Sequence, residues 1–175
     1  ILEKPMTIDL QEAALLAQFD DIAVCYQRRF DTQTMKIKKE LEFKKPAFVV
    51  ANVLVKRDPI YWDTWRQNPK LSGGGNLMNI DIHYLDLLIW WLGDEWKVMN
   101  SDVRFFDRPI DEEVKAVLTF GQILVHFHGS ARHYKRELDF RLYFEDGSFL
   151  AYDTDTATHT DIYRNFLKGN YITTK

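Results

Sequence analysis

EVKAVLTFGQILVHFHGSARHYKRELDFRLYFEDGSFLAYD, from Glu113 to Asp153, decides the fold class of this chain. In its first piece Val114, Ala116, Leu118 and Phe120 stand at every second position. A period of two is the pattern of a strand that buries one face. "EVKAVLTF", "QILVHFH", "ELDFRLYF" and "SFLAYD" read as strands, and the stretch from about Glu95 to Asp153 as an antiparallel meander. "EDGS" is the turn between the last two, because Gly147 tolerates positive φ. Opposite the apolar face, "ELDFRLYF" and the residue after it offer Asp139, Arg141, Tyr143 and Glu145.

Upstream the pattern turns mostly helical. Asp9 stands three residues before Glu12, a capping-box arrangement opening "LQEAALLAQF". "IAVCYQ" (Ile22 to Gln27) reads as a strand, and Asp31 caps a helix over "TQTMKIKKELEF". "AFVVANVLVK" reads as a buried strand, and "RDPIYWDTWRQNPK" as a loop with aromatic anchors. A short helix, "TDIYRNFLKG", closes the pattern at Gly169. The fold class is α+β: one domain over 1–175, a large, mostly antiparallel open sheet with helices on one face.

The chemistry gathers in "LSGGGNLMNIDIHYLDLLIWWLG", Leu71 to Gly93, an apolar helix that Gly93 ends. Asn79 and His83 are spaced i, i+4, and His83 and Asp86 i, i+3, so all three share a helical stripe. Asp86 can then fix the tautomer of His83 while the other ring nitrogen faces a substrate. The plainer reading is a helix edge with ordinary polar residues. The glycines are not a dinucleotide fingerprint, since Met78 stands where the third glycine belongs. Their amides, at a helix start, can hold an anion, or the glycines simply make a tight turn.

Other candidates are weaker. His126 and His128 share a strand face with His133 near in sequence, but no third ligand follows at a metal-site spacing, so no metal is expected. Cys25 in an apolar run reads as an inert thiol. Tyr61, Trp62 and Trp65 suit either stacking on a ring or core packing. Lys and Arg total 23 against 26 Asp and Glu, with no basic block, which argues against nucleic acid. No apolar run approaches a membrane span, and a single cysteine excludes an internal disulfide and points to the cytoplasm.

Two motifs in order carry a resemblance. "EKP" (Glu3, Lys4, Pro5), then "YQRRF", then "GGGNLMNIDIHYLDLLIW" resemble the glucose–fructose oxidoreductase / inositol dehydrogenase / MocA family across essentially the whole chain. The resemblance implies an NAD(P)-dependent oxidoreductase of two domains. Glu3 and Lys4 then belong to the cofactor site, with Lys4 between nicotinamide and substrate and His83 as the base. Residues 1–20 become the end of a Rossmann domain otherwise absent, so this chain alone is not expected to bind NAD or NADP or to turn over. The implied assembly is a homodimer or homotetramer through the open sheet face. A non-catalytic oligomerisation or carbohydrate-binding module of the same fold is the competing reading.

Asn79 replaces the aspartate of the family's helix, and Asp81 a common glycine. Asn79, "YWDTW" and "DTDTATHTDIYRNFLKGN" are similar to the branch that oxidises UDP-N-acetylglucosaminuronic acid at C3. A nucleotide-linked sugar acid is the expected substrate. Asn79 spares it one negative charge, Arg28 or Arg29 meets its carboxylate, Tyr61 and Trp62 stack on a ring, and the amides of Gly74 and Gly75 meet phosphate.

Overall fold

The computed structural model describes residues 1–19, 22–154 and 156–169. Asp20, Asp21, Asp155 and residues 170–175, which include parts of segments just discussed, lie outside the described residues. The strands are β1 (Phe48–Lys56), β2 (Trp96–Arg104), β3 (Glu113–Phe120), β4 (Ile123–Ser130), β5 (Arg132–Tyr143) and β6 (Phe149–Tyr152). They form one six-stranded sheet in the order β2-β3-β4-β1-β5-β6. Every neighbouring pair is antiparallel except β1 with β4. The α+β class and the mostly antiparallel open sheet are as expected.

The meander is not continuous. Only Ala131 separates β4 from β5, yet β1 inserts between them, parallel to β4 and antiparallel to β5. Ala131 is the buried corner of that crossing; its amide donates to Glu112 O at 2.9 Å and its carbonyl accepts from Arg57 N at 3.2 Å. Alternation marks which face of a strand is buried and says nothing about which strand lies beside it. The turn after β5 forms as expected, with Gly147 at φ +82° and Gly147 N donating to Phe144 O at 3.0 Å.

One face of the sheet is covered. Val49, Ala51, Val53, Val125, Phe127, Phe140 and Leu142 are buried beneath the helices, as are Val114, Leu118 and Phe120. The covering helices are α2 (Thr32–Glu40) and α5 (Ile82–Leu92). Leu87, Leu88 and Trp91 of α5 lie in this core, and Trp91 meets Phe140 and Tyr152 edge-on at 6.1 and 6.0 Å. Trp91 Nε1 donates to Thr34 O at 3.2 Å and joins the two helices. The capping reading holds: Asp9 accepts from Gln11 N and Glu12 N at the start of α1 (Leu10–Leu16), and Asp31 from Gln33 N at α2. Glu12 closes its box through Thr7, whose hydroxyl donates to Glu12 at 2.6 Å and accepts from Asp9 N.

"IAVCYQ" is corrected. It makes no strand of the sheet; Val24 forms a single parallel bridge with Leu2, and Gln27–Phe30 turns into a 3-10 helix. The aromatic loop contains two helical turns, α3 (Pro59–Trp62) and α4 (Pro69–Ser72), with a 3-10 turn at Trp65–Gln67 between them. The last helix, α6 (His159–Leu167), opens with Asp161 accepting from Thr158 N at 2.7 Å. No helix among the described residues is long and apolar enough to cross a membrane.

Candidate active site

The segment before α5 is a widened turn, Leu77–Asp81, with the π-helical pattern. Its start is held from far away in sequence. Asp111, in the loop between β2 and β3, accepts from Gly75 N through Oδ1 and from Leu77 N through Oδ2, both at 2.7 Å, and its carbonyl accepts from Asn76 N at 2.7 Å. The anion at this helix start is therefore the protein's own Asp111 carboxylate. The expectation that the Gly75 amide meets a phosphate is corrected on that ground; the Gly74 amide points to Ser72 Oγ at 3.4 Å. Nothing local in the sequence marked Asp111, because its partners lie some 35 residues away.

Asn79 turns inward. Its Nδ2 donates to Gly75 O at 2.9 Å and Gly74 O at 3.3 Å, bracing the glycine turn. A carboxylate would face two carbonyl oxygens there with nothing to donate, which accounts for an amide at this position without reference to a substrate. The Asn79 backbone carbonyl accepts from Lys4 Nζ. Burial, with Arg66 and Arg57 near it, holds the Lys4 ammonium below the ordinary lysine value against the pull of Glu3.

His83 is 8% exposed, and its Nδ1 is buried with no protein partner. Its pKa falls from 6.5 to about 3, first through burial and then through the charges of Lys4, Arg28 and His159. The ring is therefore a neutral imidazole. Asp86 does not orient it: Arg29 takes that carboxylate in bidentate fashion, Nε to Oδ2 at 2.8 Å and Nη2 to Oδ1 at 2.6 Å. That correction removes Arg29 as a substrate ligand as well, since its fork is occupied by Asp86. Tyr26, which sequence reading missed, stands edge-on to His83 at 6.3 Å with Arg29 over its ring at 5.7 Å.

The residues just before α6 pack against the same region. Asp31 Oδ2 accepts from Thr156 N and Oγ1 at 2.6 and 2.7 Å, and Arg28 Nη1 donates to Ala157 O at 3.5 Å. Burial alone would raise the Asp31 carboxyl, but these bonds hold it below its usual range. His159 then reaches Glu3 at 3.6 Å. The structure thus brings together Glu3, Lys4, Arg28, the Asn79 backbone and His83. It does not bring in Trp62, which is 1% exposed and part of the core, so stacking on a sugar by Trp62 is corrected. Tyr61 is half-buried and packs edge-on against Trp62 at 4.9 Å.

The remaining candidates stay outside the crevice. His126 and His128 lie on the open face, with His128 Nε2 3.0 Å from Glu113, and no group of three metal-ligating side chains occurs among the described residues. Cys25 is buried, and burial pushes its thiol up to about 11. Asp81 is fully buried in a space that only Gly129 leaves open: a Cβ there would stand 1.9 Å from Asp81 Oδ2. That pairing explains how a carboxyl fits where a glycine was expected.

Asn76 Nδ2 donates to Asp81 Oδ2 at 2.8 Å, while Oδ1 has no partner. Burial first, and Asp111 second, hold this carboxyl well above its usual range. A group raised on folding lends full stability below its unfolded value and loses it as pH climbs through the folded one. Asp81→Asn is therefore expected to leave stability unchanged below about pH 4 and to raise it by about 1–3 kcal/mol near pH 8. Urea melts at both pH values check this; equal stabilities at pH 8 would show that Asp81 carries no such penalty.

The family described as GFO/IDH/MocA C-terminal domain matches residues 40–150. Comparison with curated proteins gave no match. Among solved structures, the WlbA (WbpB) dehydrogenase from Thermus thermophilus in complex with NAD and alpha-ketoglutarate is 21% identical with a TM-score of 0.77, over 98% of this chain and 58% of that one. The WlbA dehydrogenase from Bordetella pertussis with NADH and UDP-GlcNAcA is 22% identical with a TM-score of 0.77, over 96% of this chain and 61% of that one. A 3-ketoreductase from Actinomadura kijaniata with NADP and TDP-benzene is 13% identical with a TM-score of 0.75, over 97% and 63%. The chain thus spans less than two thirds of these proteins, and at such identities the likeness is one of fold.

Proposed function

The chain belongs to the GFO/IDH/MocA family, and on that premise we propose that it is the substrate-binding part of an NAD(P)-dependent oxidoreductase acting on a sugar hydroxyl. One observation carries the reading. A neutral imidazole with an orphaned buried nitrogen, His83 Nδ1, lies within electrostatic reach of a part-buried ammonium, Lys4. Oxidising a secondary alcohol needs an acceptor for the hydroxyl proton and a cation for the developing alkoxide. His83 and Lys4 fill those roles, and Glu3 and Lys4 are the residues that would hold the cofactor. The bound nicotinamide supplies the hydride acceptor. Arg28, held to Ala157 O through Nη1, extends its charge to His83 and makes the site more favourable to an anionic substrate.

The substrate we propose is a nucleotide-linked sugar acid such as UDP-N-acetylglucosaminuronic acid. The Bordetella and Thermus proteins with UDP-GlcNAcA bound share this fold, which supports that choice. The test is a complete two-domain protein carrying this chain, assayed on UDP-N-acetylglucosaminuronic acid, myo-inositol and glucose with NAD and NADP. Cofactor reduction with the nucleotide sugar alone is expected. Activity on a neutral polyol with none on the nucleotide sugar would remove the substrate; sugar binding without reduction of either cofactor would favour the carbohydrate-binding module.

The same reading includes a homo-oligomer through the open sheet face. Phe48, Tyr143 and Phe149 form an aromatic ladder there, with centroids 4.6 and 5.8 Å apart, and Phe48 and Phe149 are exposed. Light scattering that found only monomer at high concentration would count against it.

A further inference from the structure

Tyr61 carries two guanidinium groups. Arg57 follows β1 and Arg66 sits in the turn Trp65–Gln67, and their guanidinium carbons lie 4.8 and 4.7 Å from the Tyr61 ring centroid. Arg66 also lies 5.0 Å from the ring of Trp65, which is 51% exposed. Both arginines act electrostatically on Lys4, so the three cations share one electrostatic neighbourhood. Arg66 Nη1 donates to Thr64 Oγ1 at 3.3 Å; among the described residues neither arginine forms an ion pair with a carboxylate. Elsewhere the pattern is the opposite, with Arg29 on Asp86, Arg132 on Glu112 and Arg141 on Asp139. Like charges gathered in one place repel one another, Glu3 alone opposes them at Lys4, and a bound anion turns that repulsion into attraction.

The chemistry of the anion follows from the donors. One carboxylate is satisfied by one guanidinium fork, as Asp86 is by Arg29. Two forks from different segments, with an ammonium beside them, match a larger and more highly charged group. The glycine turn cannot take it, because Asp111 already holds the Gly75 and Leu77 amides. We propose that Arg57 and Arg66, held on Tyr61 beside Lys4, bind the diphosphate of a nucleotide-linked substrate. The inference rests on the reading of the crevice as a nucleotide-sugar site and assigns the group that anchors the substrate outside the reacting carbon.

The first test is calorimetric titration of this chain with inorganic pyrophosphate, UDP and glucuronate. Pyrophosphate and UDP are expected to bind, and the Arg57→Gln/Arg66→Gln pair to weaken both at least about tenfold. Tyr61→Phe keeps the ring and is expected to keep the affinity, whereas Tyr61→Ala is expected to lose it. Thermal melts identify any variant that fails to fold, and Arg57→Lys/Arg66→Lys then serves in its place, expected to bind more weakly than wild type. Pyrophosphate binding that is absent, or unchanged in the glutamine pair, overturns the proposal. So does glucuronate binding that depends on the arginines while pyrophosphate binding does not.

The second test separates the site from the reaction. In the complete two-domain enzyme, Arg57→Gln is expected to raise KM for the nucleotide sugar with little change in kcat. Unchanged KM with nucleotide-sugar turnover intact removes the diphosphate site and leaves the reaction standing. Arginine-dependent pyrophosphate binding in an enzyme that oxidises no nucleotide sugar leaves the site and removes the reaction.

Discussion

In a complete two-domain enzyme carrying this chain, His83→Ala and Lys4→Ala are each expected to lower turnover about a hundredfold or more, the range for a positioned acid or base. Substrate affinity should change less, because neither group spans much of a sugar. The pH profile adds a signature specific to this site. With its pKa near 3, His83 is neutral throughout the physiological range, so the acid limb of kcat/KM lies well below an ordinary histidine's 6.5. An anionic substrate beside Lys4 and Arg28 reverses the sign of the Coulomb effect on His83 and raises its pKa in the complex. The acid limb of kcat is therefore expected at higher pH than that of kcat/KM. Near-normal turnover in His83→Ala would end the assignment of His83 as base.

Gly75→Ala is expected to be the most damaging single methyl group in the chain. Its Cβ would stand 1.9 Å from the Asp111 carbonyl oxygen and 2.8 Å from the Asp111 nitrogen. Both are backbone atoms, so relief requires the whole loop before β3 to move. That movement breaks the bonds from Asp111 to Gly75, Asn76 and Leu77 together. A loss of about 3 kcal/mol or more follows, a fall in Tm of roughly 6–12 °C for a chain of this size. Gly121→Ala is the control: its φ is +58° but no atom lies within 4 Å of the added methyl, so only backbone strain of about 1 kcal/mol opposes it. Equal melting temperatures for the two variants would mean that the Asp111 contact bears no weight.

What was readable in the sequence was local. The caps at Asp9 and Asp31, the turn at Gly147 and the buried face of β3 each depend on residues a few positions apart. His83 was marked by its helical spacing and Lys4 by motif resemblance; in the structure Lys4 Nζ donates to the carbonyl of Asn79, one turn before His83. What escaped was set by partners distant in sequence. Asp86 looked like a support for His83 because of its helical spacing, but Arg29, 57 residues away, takes it. Trp62 and Tyr61 are adjacent and chemically alike; only the sheet beneath them decides that the first is core and the second bears Arg57 and Arg66. The place of β1 escaped for the same reason, since its apolar run is compatible with any interior position.

That place has a cost during synthesis. Within the sheet β1 pairs with both the β2-β3-β4 ribbon and the β5-β6 hairpin, and it leaves the ribosome before either exists. Its register partners in β4 and β5 lie about 75–95 residues downstream, several seconds of translation at roughly 5–20 residues per second. Throughout that interval "FVVANVLV" is a nascent strand with both edges unpaired, no charge and no proline, the composition that seeds intermolecular β-pairing. Chaperone demand, expression yield and inclusion-body formation for this chain should therefore depend on how quickly residues 123–143 follow, more than on the stability of the finished domain.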